Sequence, residues 1–423
     1  MSERNRELLN LGVVGVLTAI GFASVYIARQ SEISSGSLSY AVFFLLLYLV
    51  AHAAARLTVP HADPYLLPMA ALLTALGLTE IYRLGPSDAF KQGLWIVIAV
   101  AVFAATLFAL HRDYRVLESY KYLFGLTAIF LLVLPALPGI GTTVNGARLW
   151  IHFGSIQFQP GELAKLALIV FLAGYLREKR EVIAQGRVKD LGPLLVIWGA
   201  AMLVLVETND LGSGLLYFGV FLAMLYAATS RTGYVVAGAI LFVVGSAGVY
   251  EISAHVRERV DVWLNAFDYS HTSGYQVVQA LYSVGHGGYG GTGLGRGIFT
   301  QPGSDNTLIP YLNTDFIYSA LAQELGLVGA AALLLVYMLL IARGFRIALL
   351  ADDGFSKLLA AGLTFAFALQ AFIIVGGIVR LIPLTGITLP FVSYGGSSVV
   401  ANFVLLAGLM LVSNRANADR VHV

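Results

Sequence analysis

The chain has no cysteine among its 423 residues, which removes disulfides, thiolate metal sites and a cysteine nucleophile from consideration. Charge is nearly as scarce. Asp, Glu, Lys and Arg together make up 12% of the chain, about half the share usual in water-soluble proteins. A formal net charge of +2 gives no electrostatic reason to expect nucleic acid as a partner. The 45 glycines and 12 prolines are too ordinary a share for collagen or low-complexity disorder. A cleavable signal peptide is also missing: Arg4 and Arg6 precede an apolar run beginning near Leu11, but no small-residue cleavage site follows. What is abundant is apolar surface, with 58% hydrophobic residues and a mean hydropathy of +0.79. Such a chain belongs in lipid.

A bilayer core needs roughly 20 apolar residues per helix. Twelve runs approach that size, over 10–28, 40–57, 65–82, 92–110, 121–139, 161–176, 192–206, 211–229, 233–252, 316–342, 356–375 and 397–414. The expected architecture is an all-α polytopic membrane protein of about twelve transmembrane helices. A helix pair in 1–60 precedes a ten-helix core in 61–423. With both termini cytoplasmic, Lys and Arg divide seventeen to nine in favour of the cytoplasmic side, the sense of the positive-inside rule. The cluster Arg177, Lys179, Arg180, Arg187 and Lys189 then faces the cytoplasm and reads as a topology determinant. Three long non-helical segments, 140–160, 253–315 and 376–396, fall together on the outer face. Loops of that length are commonly functional.

Each outer segment carries residues suited to chemistry. In the first, Arg148 beside Trp150 offers a forked cation at a membrane interface. Pro160 suits the first turn of a helix, and Glu162 and Lys165 share one face of it. An interfacial anchor plus a local ion pair explains the same residues. Acids within spans are costly, and Glu80, Glu207, Asp210 and Glu324 are such acids. Asp210 reads equally as an N-cap, whereas Glu324 calls for a polar cavity or a cation such as Arg380 or Arg148. The middle segment holds Asp268, Tyr275 and Gln276, then eight glycines between Gly285 and Gly297, which suit a tight turn where backbone approaches a bulky ligand. An outer carboxylate there is a candidate general base if burial lifts its pKa toward neutrality. In the third segment, Ser397 and Ser398 open the last helix behind Arg380, a pattern for an anion site or for a plain helix cap. No His pairing suits a dedicated metal site. A divalent cation such as Mg2+ bridging ligand phosphates is left open.

Four blocks in order resemble the SEDS family (shape, elongation, division and sporulation). They are Gly146 to Trp150 with Gln159 to Lys165; Asp210 to Gly214; Trp263 to Gly295 including Gly274, Tyr275 and Gln276; and Thr314 to Gly326 with Ile382 to Ser398. The stretch from Arg380 to Gly386 and the two extra N-terminal helices look most like the family's actinobacterial RodA branch. The resemblance implies a peptidoglycan glycosyltransferase that polymerises lipid II, partnered by a class B penicillin-binding protein. It also implies that Asp268 is the catalytic base. Arg148, Lys165 and Arg380, with Ser397 and Ser398, would hold the departing pyrophosphate, with or without Mg2+. Glu162, Asp210, Tyr275, Gln276, Asp315 and Glu324 would form a supporting polar network. One departure is visible: family members carry an Asp-Pro pair one position later, where this chain has Tyr269 and Ser270, and Ala266 replaces a usual proline. Two other readings stay open: a lipid II flippase or transporter, and a non-catalytic scaffold for the transpeptidase.

Overall fold

A computed structural model describes residues 2–30, 35–144, 147–154, 156–185, 192–300 and 307–421. Asn145, Gly146, Arg187 and Lys189 lie outside the described residues. Helices dominate. In chain order they are α1 (Glu3–Gln30), α2 (Ser35–Thr58), α3 (Leu66–Leu84), α4 (Pro86–Leu110), α5 (Val116–Ser119), α6 (Lys121–Val133), α7 (Pro160–Ala184), α8 (Gly192–Glu207), α9 (Leu211–Thr229), α10 (Thr232–Ile252), α11 (Ala254–Leu264), α12 (Tyr275–Gly287), α13 (Ile317–Leu350), α14 (Gly354–Ile378) and α15 (Gly396–Val421). Nine of the described helices are long and apolar enough to cross a membrane. The remaining three expected spans correspond to α7, which is charged in its second half, and to two shorter apolar helices, Lys121–Ala136 and Gly192–Glu207.

Local sequence explains several helix starts. Pro86 and Pro160 open α4 and α7, where a missing N–H costs nothing. Asp210 and Asp353 cap α9 and α14 by accepting from the amides of Ser213 (3.0 Å) and Ser356 (2.9 Å). α15 is the most enclosed span and packs on α4, α14, α13 and α7; α10 lies almost wholly exposed at the periphery. Apolar side chains such as Val236, Ile240, Val243 and Val244 remain on its surface, as a lipid-facing helix requires.

Of the outer segments expected to be non-helical, the first forms a sheet and the second departs from the expectation by containing helices. Residues 140–160 contain a three-stranded antiparallel sheet, β1 (Gly141–Val144), β2 (Ala147–Phe153) and β3 (Ile156–Phe158), with Thr142 opposite Trp150 and Ile151 opposite Phe158. Residues 253–315 contain α11 and α12. Ser253 caps α11, and α12 turns Val277, Val278, Ala280 and Ser283 inward. Both helices are too polar or too short to have registered as spans.

The glycine run serves this packing. α13 is broken at Gly326, whose φ of 67° and ψ of −172° suit only glycine. The break frees the Gln323 and Glu324 carbonyls, which accept from the Thr292 (3.0 Å) and Gly293 (2.9 Å) amides; Leu327 N in turn donates to Gly288 O (2.8 Å). Backbone therefore approaches backbone, where the composition had suggested approach to a ligand.

The three segments gather at one end of the bundle. The chain termini meet at the other: His61 N donates to Asn414 Oδ1 (2.8 Å), Asn417 Nδ2 to His61 O (2.8 Å), and Arg4 donates to the Ala62 carbonyl.

Candidate active site

The most polar enclosed region of the loop end is assembled from α7, α9, α11, α14, α15 and the stretch before α13. Lys165, 3% exposed, donates to Glu162 Oε2 (2.8 Å) and Gln370 Oε1 (2.7 Å). Gln370 Nε2 donates to Thr388 O (3.0 Å), and the Thr388 hydroxyl to Ser398 Oγ (2.7 Å). Ser397 Oγ accepts from the Gln159 amide (2.7 Å). One continuous polar relay thus ties α7 to α14, the loop after it and α15. Lys165 is held between Glu162 and Gln370, and the Ser397 and Ser398 oxygens accept from the Gln159 amide and the Thr388 hydroxyl. A buried lysine keeps its charge only with such partners.

Beside this relay lies a second cluster. Arg259 on α11 donates to Thr385 O (3.0 Å) and faces the Asp315 carboxyl across Gly386. Gly386, at φ 74°, is exposed, and a Cβ there would stand 3.6 Å from Asp315 Oδ2 and 3.9 Å from Arg259 Nη2. The missing side chain leaves the pair reachable from the surface. Burial pushes Asp315 up from 3.8 to about 6, against the opposing pull of Arg259. Burial also raises Asp210, opposed by its hydrogen bond from Ser213 and by Arg259, with the Glu162 charge adding to the rise. Arg259 is lowered by burial, offset by Asp315 and Asp210.

Asp268 sits elsewhere on the same end. It occupies a turn after α11 closed by backbone bonds, including Asp268 N to Asn265 O (3.0 Å) and Gly274 N to Tyr269 O (3.0 Å). Val262 and Ala266 are the inward residues there, packed on Val277 and Val278; Phe267, Asp268 and Tyr269 are left exposed. The burial expected of a general base at this position is absent. Arg380 lies against the same turn. Its guanidinium donates to the carbonyls of Trp263 (2.6 Å) and Leu264 (2.9 Å) and stands 5.8 Å from the Phe267 ring centre. It therefore closes the C-terminus of α11, a favourable place for a cation.

Arg148 on β2 donates to Leu137 O (2.9 Å), and its amide to Thr208 O (3.2 Å), which brings the sheet beside the turn that leads to Asp210. Tyr275 and Gln276 are half-buried in the first turn of α12. Glu324 departs from the expected partners: it pairs with Arg83 of α3 (3.0 Å), not with Arg380 or Arg148. Sequence reasoning passed over Arg259, Gln370, Thr388 and Gly386 as site residues. Gln370, a lone amide in an apolar run, carried a usable signal.

Comparison with known proteins places this geometry. Peptidoglycan glycosyltransferase RodA of Mycobacterium leprae is 42% identical over 436 aligned positions, covering 98% of this chain and 91% of that protein. Stage V sporulation protein E of Bacillus subtilis is 35% identical, covering 83% and 96%. Among solved structures, a chain from a peptidoglycan synthase complex described as coordinating polymerization and crosslinking superposes with a TM-score of 0.72 at 27% identity, covering 84% of this chain and 98% of that one. The rod shape determining protein RodA of Thermus thermophilus gives a TM-score of 0.62 at 26% identity, covering 84% and 97%. The model of the FtsW, RodA and SpoVE cell cycle proteins matches residues 65–418, and the chain belongs to that family.

Proposed function

We propose that this chain is a peptidoglycan glycosyltransferase that polymerises lipid II into glycan strands at the outer face of the cytoplasmic membrane, with a class B penicillin-binding protein as partner. Relatives named for that activity along nearly the whole chain support the reading. The distribution of Lys and Arg supports cytoplasmic termini and an outward-facing loop end. The observation that carries the chemistry is the Arg259–Asp315 pair opening beneath Gly386.

In this reading the sugar 4-hydroxyl of one lipid-linked disaccharide gives its proton to Asp315 as its oxygen attacks the anomeric carbon of another. The C–O bond to the polyprenyl pyrophosphate breaks, and displacement from the opposite face inverts an α linkage to β. Asp315 meets the main requirement for a base, a pKa close to the working pH. Asp268, exposed on the neighbouring turn, contributes negative charge at the rim. Arg148, Lys165 and Arg380 are the candidate cations for the leaving pyrophosphate, whose developing charge needs stabilising, and each is also held by protein acceptors. Mg2+ would enter with the phosphates: among the described residues no three His, Asp or Glu side chains group as metal ligands do.

Purified protein given labelled lipid II tests the proposal. Asp315→Asn should lower glycan formation about a hundredfold or more, and Asp268→Asn should cost less. The reverse order moves the base to Asp268. Lipid movement without polymer would favour a flippase, and partner binding without either a scaffold.

A further inference from the structure

Glu80 is fully buried on α3, and neither of its carboxylate oxygens meets a donor. Its acidic neighbour is Glu324 on α13, which pairs with Arg83 one turn along α3 from Glu80. Glu324 is well supplied. Its Oε2 accepts from the Gly295 amide (2.7 Å), and its Oε1 accepts from the Gly297 amide (3.0 Å) and lies 3.0 Å from Arg83 Nε. Arg83 also donates to the Gly297 carbonyl and stands 4.9 Å from the Phe299 ring centre. One arginine thus faces two carboxyls in an apolar setting.

The charged groups facing Glu80 are Arg83 from its own helix and Glu324 from α13. Phe22 and Val25 on α1 are buried apolar side chains, and the Tyr40 ring of α2 lies 5.2 Å from the Tyr82 ring of α3, tilted by 52°. Two ionised carboxylates facing one another would repel, with only one cation to offset them. A carboxylic acid, in contrast, supplies the O–H that both groups lack, and Glu324 retains lone pairs to accept it. We propose that Glu80 and Glu324 share one proton, and that this acid pair is the latch holding the 288–299 segment in the α13 break. Glu80 is then a positioning residue. The segment it secures leads directly from α12, so the latch fixes the loop end that carries the site.

Difference infrared spectra of the protein in lipid vesicles, wild type against Glu80→Gln and Glu80→Met, test this without relying on turnover. The C=O band of a protonated carboxylic acid should be present in wild type at neutral pH, fade at alkaline pH, and be missing from both variants. Turnover should separate the variants. Glu80→Gln, which keeps an N–H donor to Glu324, should retain wild-type activity at neutral pH and lose the alkaline decline. That decline, for one proton released, steepens to about tenfold per pH unit. Glu80→Met should lose activity at every pH. A band identical in all three proteins, or an alkaline limb that persists in Glu80→Gln, overturns the proposal, while the glycosyltransferase reading would stand or fall separately on lipid II.

Discussion

Asp315 shows how one residue can serve activity at the expense of stability. Its pKa is raised on folding, so the folded state favours the protonated form. The stability this gives is fully present below 3.8 and is lost as pH rises through about 6. At neutral pH the ionised carboxylate therefore costs up to about 3 kcal/mol, from roughly two units of displacement. Asp315→Asn should raise the thermal midpoint at pH 7 while lowering product, and wild-type turnover should fall as the medium is acidified through about 6. A pH series of melting curves on both proteins reads the first effect directly. Little of this was visible beforehand. Asp268 stood out through the family resemblance, as the acid just before Gly274, Tyr275 and Gln276; Arg259 and Asp315, far apart along the chain, are joined only by the fold. Lys165 and Glu162 were legible as a pair from their spacing, but Gln370, the second partner of Lys165, comes from a different span.

Among the elements, α13 has the most to teach. Its sequence reads as one unbroken apolar helix, and the break at Gly326 is set by the segment that docks into it. An alanine at 326 would meet strained dihedral angles and place its Cβ 2.2 Å from Gly291 N. The dihedral strain alone costs about 1–3 kcal/mol. Gly326→Ala should therefore release the 288–297 segment, and trypsin should cut faster after the exposed Arg296 than in wild type. Unchanged cleavage would mean that the segment is held by other contacts. The starts of α7 and α9 were readable because Pro160 and Asp210 act locally. The β1–β3 sheet and α11 and α12 were not, because short amphipathic elements on a bundle's end leave no long apolar run.

For the whole molecule, the N-terminal helix pair is the distinctive addition. Buried charge ties its two helices together, Arg4 contacting Glu7 at 2.5 Å and Glu7 meeting His52 Nδ1 at 2.7 Å, while Arg4 reaches beyond the pair to the Ala62 carbonyl. Removing one partner strands the other charge, which typically costs about 3–5 kcal/mol. Glu7→Ala should lower the thermal midpoint markedly, and adding Arg4→Met should recover part of the loss; no recovery would show that the ions do not act as a unit. The polytopic helical architecture was legible from hydropathy alone, because lipid demands long apolar helices.

Because His61 bridges to Asn414 and Asn417 while Arg4 reaches Ala62, both chain ends emerge side by side, remote from the sheet, from α11 and α12 and from Gly386. Fluorescent reporters fused at either end should therefore leave glycan output undisturbed. A donor and acceptor fused at the two ends should also show strong energy transfer within a single molecule.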